Sequence, residues 1–144
     1  MTFTNTDRGY IVRLIKGEKI VETLTNFCSD NSISSGVVSG LGGASDITLG
    51  YYKLDTKEYV WKDFPEVHEI LSLNGNVATV NDSPFLHLHV ALSNENFDAI
   101  GGHLKEATVA ATCEVSITDL NAEITREMDD QIGLKLLSLP NEMH

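Results

Sequence analysis

"PFLHLHVALSNENFDAIGGHL", Pro84–Leu104, holds three of the five histidines in this 144-residue chain. Its first half alternates. Leu86, Leu88, Val90 and Leu92 share one side of an extended strand, while Phe85, His87, His89 and Ala91 take the other. The leucine side reads as core, so the strand forms one wall of a packed sheet and carries two imidazoles on its opposite face. Two residues of strand advance about 6–7 Å, a span that one metal ion with bonds near 2.1 Å to nitrogen can bridge.

The flanking text fits a sheet around this strand. "GYIVRLI" (Gly9–Ile15) sets Tyr10, Val12 and Leu14 against Ile11, Arg13 and Ile15, a first strand. In "GEKIVETLTNFCSDN" the period changes. Ile20, Val21, Leu24, Phe27 and Cys28 form the stripe of an amphipathic helix, which Asp30 and Asn31 end. "SISSGVVSGLGGASDITLGYYKL" is rich in strand formers, and "LDTK" (Leu54–Lys57) turns it into "EYVWKDF". "HEILSLNGNVATV" reads as a strand interrupted at Asn74-Gly75 by a turn or bulge. "NDSP" (Asn81–Pro84) turns into the histidine strand, "ENFDAI" reads as a short helical turn, and His103 falls in a loop. "ATVAATCEVSITDL" is then a long strand, with "AEITRE" and "LKLLSL" as two more. One helix against many strands with short connections predicts a single α+β domain over 1–144, built on an antiparallel sheet.

Composition narrows the function. Residues 1–62 carry seven basic and seven acidic residues. Residues 63–144 carry three basic and fourteen acidic, so the whole excess of −11 lies in the half with the histidines. Phosphate backbones are gripped by Lys and Arg, which makes this half a poor duplex-DNA surface. No apolar run reaches about 18 residues, and "MTFTNTDRGY" lacks the pattern of a secretory signal, so a cytoplasmic protein is expected. Cys28 and Cys113 read as reduced core thiols.

His103 supplies a third imidazole, which Gly101 and Gly102 can aim back at the strand. His87, His89 and His103 are therefore candidate metal ligands, with Zn²⁺ favoured and Cu²⁺, Ni²⁺ and Co²⁺ compatible. Three protein ligands leave a coordination position open, the pattern of catalytic zinc. The plainer alternative is a set of ordinary solvent-facing histidines. Glu69 is a candidate carboxylate, orienting a histidine or accepting a proton near bound water; a solvent-facing glutamate explains it equally well. His68 should face the other way, and His144 is a terminal residue with no assigned role. "SGLGGASD" (Ser39–Asp46) lacks the residues of a phosphate loop and reads as a glycine-rich turn or bulge.

The ordered series "SGLGGASDITLGYY", "HEILSLNGNVA", "PFLHLHVALS", "GGHLKEATV" and "CEVSI" resembles the PPC domain, named for plants and prokaryotes conserved. The resemblance runs from about Arg8 to about Leu120, leaving 121–144 as C-terminal strands or tail. It implies a compact domain on an antiparallel sheet, assembled as a homotrimer, with His87, His89 and His103 at the family's H-x-H and G-G-H positions. Plant relatives attach this domain to AT-hook motifs in DNA-binding regulators. This chain has no such motif and no basic tail. Three functions follow as expectations: a trimeric metal site that binds or hydrolyses a small ligand, a DNA-associated regulator, or a trimeric protein-interaction module.

Overall fold

The computed structural model describes residues 1–140, so His144 lies outside the described residues. The chain runs β1 (Thr2–Thr6), β2 (Gly9–Ile15), α1 (Ile20–Asp30), β3 (Gly36–Lys53), β4 (Glu58–Phe64), β5 (His68–Val80), β6 (Ser83–Ser93), β7 (Ala99–Asp119), β8 (Thr125–Asp129) and β9 (Leu134–Ser138). All strands belong to one sheet, antiparallel except where β5 and β8 meet in parallel at Thr79 and Thr125. Among the described residues the single domain with one helix expected from the sequence is observed.

Two long strands organise the sheet. The second half of β7 lies between β2 and the start of β3, and its first half reaches β6. β3 pairs β5 through its first half and β4 through its second. Since β5 pairs β6 and β6 pairs β7, strands β3, β5, β6 and β7 close into a circuit. Closure requires bending, and the bends appear as register shifts in β3 near Gly42 and between Ser45 and Leu49. Gly42 has φ +153, and a Cβ there would overlap the Thr112 carbonyl. The glycine-rich "SGLGGASD" thus bends a strand and forms no phosphate loop.

The helix follows from its stripe: Ile20, Leu24, Phe27 and Cys28 are buried. Lys19 at its N-terminus offers no side-chain cap. Glu106 of β7 serves instead, its carboxylate accepting from the backbone N–H of Val21 at 2.8 Å and of Glu22 at 3.1 Å. An acid at a helix N-terminus satisfies free donors and complements the dipole. The helix shares its core with Leu86, Leu88, Val90 and Leu92 of β6, each 8% exposed or less. Burying those four leucine and valine side chains contributes about 1.5–3 kcal/mol each, which fixes the outward direction of His87 and His89.

Three expectations need correction. β5 is continuous through Asn74-Gly75, and its bulge lies at Leu71, between Ile70 and Ser72. Gly75 is needed for close approach rather than for turning, because a Cβ there would overlap the His87 carbonyl oxygen. "ENFDAI" forms no helix; Asn94 Oδ1 accepts from the N–H groups of Asn96 and Asp98 and ties a tight loop instead. His103 sits inside β7, not in a loop. Short polar side chains and Gly-Gly read locally as loop, but pairing with β6 and β3 overrides that preference.

Candidate metal centre

His87 and His89 stand side by side on β6, and His103 of β7 is the cross-strand partner of His89. Directly opposed residues bring their Cβ atoms to about 5 Å. The three rings accordingly cluster, with centroids 5.0, 5.2 and 5.5 Å apart. The Nε2 atoms of His87 and His89 are 3.2 Å apart. One nitrogen from each of the three residues lies within 4.8 Å of the others. Two nitrogens bound at about 2.1 Å to a tetrahedral ion are about 3.4 Å apart, so the His87–His89 spacing suits a shared metal. Nδ1 of His103 is buried without a hydrogen-bond partner, leaving donor capacity at the cluster unused.

The rings are electrically prepared for that role. Burial pushes the His87 imidazole down to about 4, with Arg126 and the neighbouring histidines adding to the effect. Burial, reinforced by His89, also lowers His103. Both are therefore neutral at pH 7, the form that ligates metal.

Arg126 of β8 reaches this site from the C-terminal hairpin. It is 8% exposed. Its Nη1 donates to the Lys135 carbonyl at 2.8 Å, and its Nη2 contacts Asn76 Oδ1 at 2.8 Å and His87 Nδ1 at 3.2 Å. A guanidinium only donates, so His87 Nδ1 accepts and the neutral ring carries its proton on Nε2, facing His89.

A second wall comes from β4. Gly50 of β3 is the register partner of both His103 and Trp61. A Cβ on Gly50 would stand 2.6 Å from the Trp61 ring and 2.9 Å from the Tyr59 ring. Its absence lets Tyr59 and Trp61 stack at 4.6 Å over the strand, with Tyr59 5.2 Å from His103. Between this wall and the β8–β9 hairpin lies a cavity of about 340 Å³, lined by Tyr59, Phe85, His87, His103, Arg126 and Met128 among others.

The other candidate residues are elsewhere. Glu69 is exposed and pairs with Ser93 and Gly43. Its β6 partner Ser93 is four positions from His89, about 13 Å along the strand, and Glu69 makes no contact with the cluster. His68 faces away as expected, buried, with Nδ1 3.0 Å from the Glu66 carbonyl. Cys28 and Cys113 are free and buried, their thiols pushed up by burial to about 12 and about 11. Arg126, Tyr59 and Gly50 were not expected at the site. Arg126 carried one faint signal, as one of three basic residues in an otherwise acidic half.

Comparison with known proteins agrees with this architecture. Residues 1–121 match the Plants and Prokaryotes Conserved (PCC) domain. A protein from Bacteroides thetaiotaomicron, described as a candidate DNA-binding protein, is 31% identical with a TM-score of 0.93, over 95% of this chain and 96% of its own. A metal-containing protein from Archaeoglobus fulgidus is 35% identical with a TM-score of 0.86, over 96% of this chain and 100% of its own. A plant- and prokaryote-conserved (PPC) protein from Pyrococcus horikoshii is 30% identical with a TM-score of 0.87, over 98% and 97%. Curated proteins give no match. On these grounds the chain belongs to the Plants and Prokaryotes Conserved domain family.

Proposed function

We propose that this chain is a cytoplasmic homotrimer whose His87, His89 and His103 hold one divalent transition metal, zinc first, and present it to a small ligand. The observation that carries this reading is the pair of Nε2 atoms 3.2 Å apart with a third imidazole within reach. Three neutral imidazoles are a suitable donor set for zinc. A bound zinc ion would supply a Lewis acid with a free position for water or a ligand atom. For His87 to ligate through Nε2 as a neutral ring, its proton must sit on Nδ1 instead, with Arg126 turning aside. Glu69 has no part in this reading, because it lies away from the cluster within the chain.

Trimer assembly is supported by apolar side chains on the outward faces of β2, β3 and β5. Ile11, Ile15, Val37, Leu41 and Leu71 are each 43–57% exposed and would gain from burial between subunits. The metal reading is supported further by the metal-containing relative from Archaeoglobus fulgidus. It is tested by cobalt(II) loading: the protein should develop the strong visible absorption of a four-coordinate site, and His89→Ala should not. A weak octahedral spectrum identical in both proteins would refute it.

A second reading, DNA binding, rests on the description of the Bacteroides relative. The net charge of −11 opposes it. Failure to shift duplex DNA even at low salt would remove it; salt-dependent binding would restore it.

A further inference from the structure

The acidic half of the chain has three basic residues, Lys105, Arg126 and Lys135, and two of them, Arg126 and Lys135, line one cavity. Lys105, two residues beyond His103, sits 4.9 Å over the Trp61 ring, which stacks on the Tyr59 of the cavity wall. Within the hairpin the acids Glu127 and Asp129 line a separate hollow, with Leu137 and Leu139.

Among the described residues Arg126 has no acidic partner. Among the described residues the sole ion pair joins the N-terminal amine to Glu18. The neighbours of the guanidinium are a carbonyl, an amide oxygen, an imidazole and, at 5.6 Å, the Phe85 ring; its Nε is buried without a partner. A buried charge without a counter-charge is costly. A cationic group kept in that state at a cavity wall is suited to an anion that arrives from outside.

We propose that the cavity binds a small monocarboxylate with a planar apolar body, its carboxylate held by Arg126 and its body against Tyr59 and Phe85. The remaining walls (Met128, Leu134 and Leu136) are apolar, which favours a hydrophobic body behind the charged head. A volume of about 340 Å³ admits a single-ring compound. The hairpin that supplies Arg126 lies beyond residue 121, where the family match ends. Ligand choice is thus set by a segment outside that match. The inference names the ligand class for the metal site proposed above and rests on that reading of this face as the ligand centre.

The test is calorimetric titration of the intact protein with benzoate and with benzyl alcohol, its neutral counterpart, with zinc measured on the same samples. Benzoate should bind and benzyl alcohol should bind more weakly. Arg126→Met should lower benzoate affinity by about tenfold or more, the worth of a charged hydrogen-bond partner, and leave benzyl alcohol unchanged. Arg126→Lys keeps the charge, and its partial retention of benzoate would separate lost charge from lost folding. No benzoate binding by the wild type, equal affinity for the two compounds, or equal benzoate affinity in Arg126→Met would overturn the proposal. Arg126-dependent benzoate binding to protein without zinc would leave the anion pocket standing and remove the metal reading.

Discussion

Acidification of metal-free protein should destabilise it through His87. An unfolded chain takes up a proton on histidine near 6.5, but the folded chain keeps His87 neutral down to about 4. Between those values the unfolded state binds the proton and the native state does not, so the stabilisation is complete above 6.5 and is lost as pH falls towards 4. At 1.36 kcal/mol per pH unit, a fall from 6.5 to about 4 corresponds to roughly 3 kcal/mol. His87 is only half-buried, and solvent screening reduces this to about 2 kcal/mol. The lowered His103 acts in the same direction. The assay is urea unfolding of chelator-treated wild type and His87→Gln at pH 7.0 and 4.5. The wild type should lose about 2 kcal/mol more than the variant between the two. Parallel losses would refute the argument that burial and Arg126 hold this ring neutral.

Other perturbations probe the scaffold beneath the site. Leu88→Ala empties a side chain 1% exposed behind the histidine strand and should cost about 2–4 kcal/mol in chemical unfolding, while zinc content of the folded fraction stays unchanged. Gly75→Ala sets a methyl against the His87 carbonyl oxygen and should cost about 3 kcal/mol or more, with weakened metal binding because β5 and β6 must separate there. Cys28 and Cys113, buried with thiols near 12 and 11, should stay unreactive towards a disulfide reagent at pH 8 until urea unfolds the chain; prompt labelling of either would show that it is accessible.

Strand alternation carried much of this architecture. The period-two pattern from Leu86 to Leu92 assigned the core and the histidine face together, because the strand is buried on one side only. The helix stripe from Ile20 to Cys28 was equally readable. His103 does lie beside His87 and His89, but in a strand rather than a loop, since Gly101 and Gly102 carry no side-chain pattern and their strand exists through pairing with Val90 and Ala91. Arg126 and Tyr59 illustrate the rest. Arg126 arrives on the hairpin that meets β5 at Thr79 and Thr125, and Tyr59 approaches His103 across the closed circuit, past a missing Cβ at Gly50. No local pattern encodes a contact made by that closure. Glu69 shows the converse: it lies in a suitable strand, but the pairing of β5 with β6 carries it away from His89.

The most direct test is elemental analysis by plasma mass spectrometry of protein purified without chelator, alongside the His87→Ala/His89→Ala variant. About one zinc or similar transition-metal ion per chain in the wild type, absent from a variant that still folds, is the result expected of a three-histidine centre. No metal in the wild type, or the same amount in both, would contradict it.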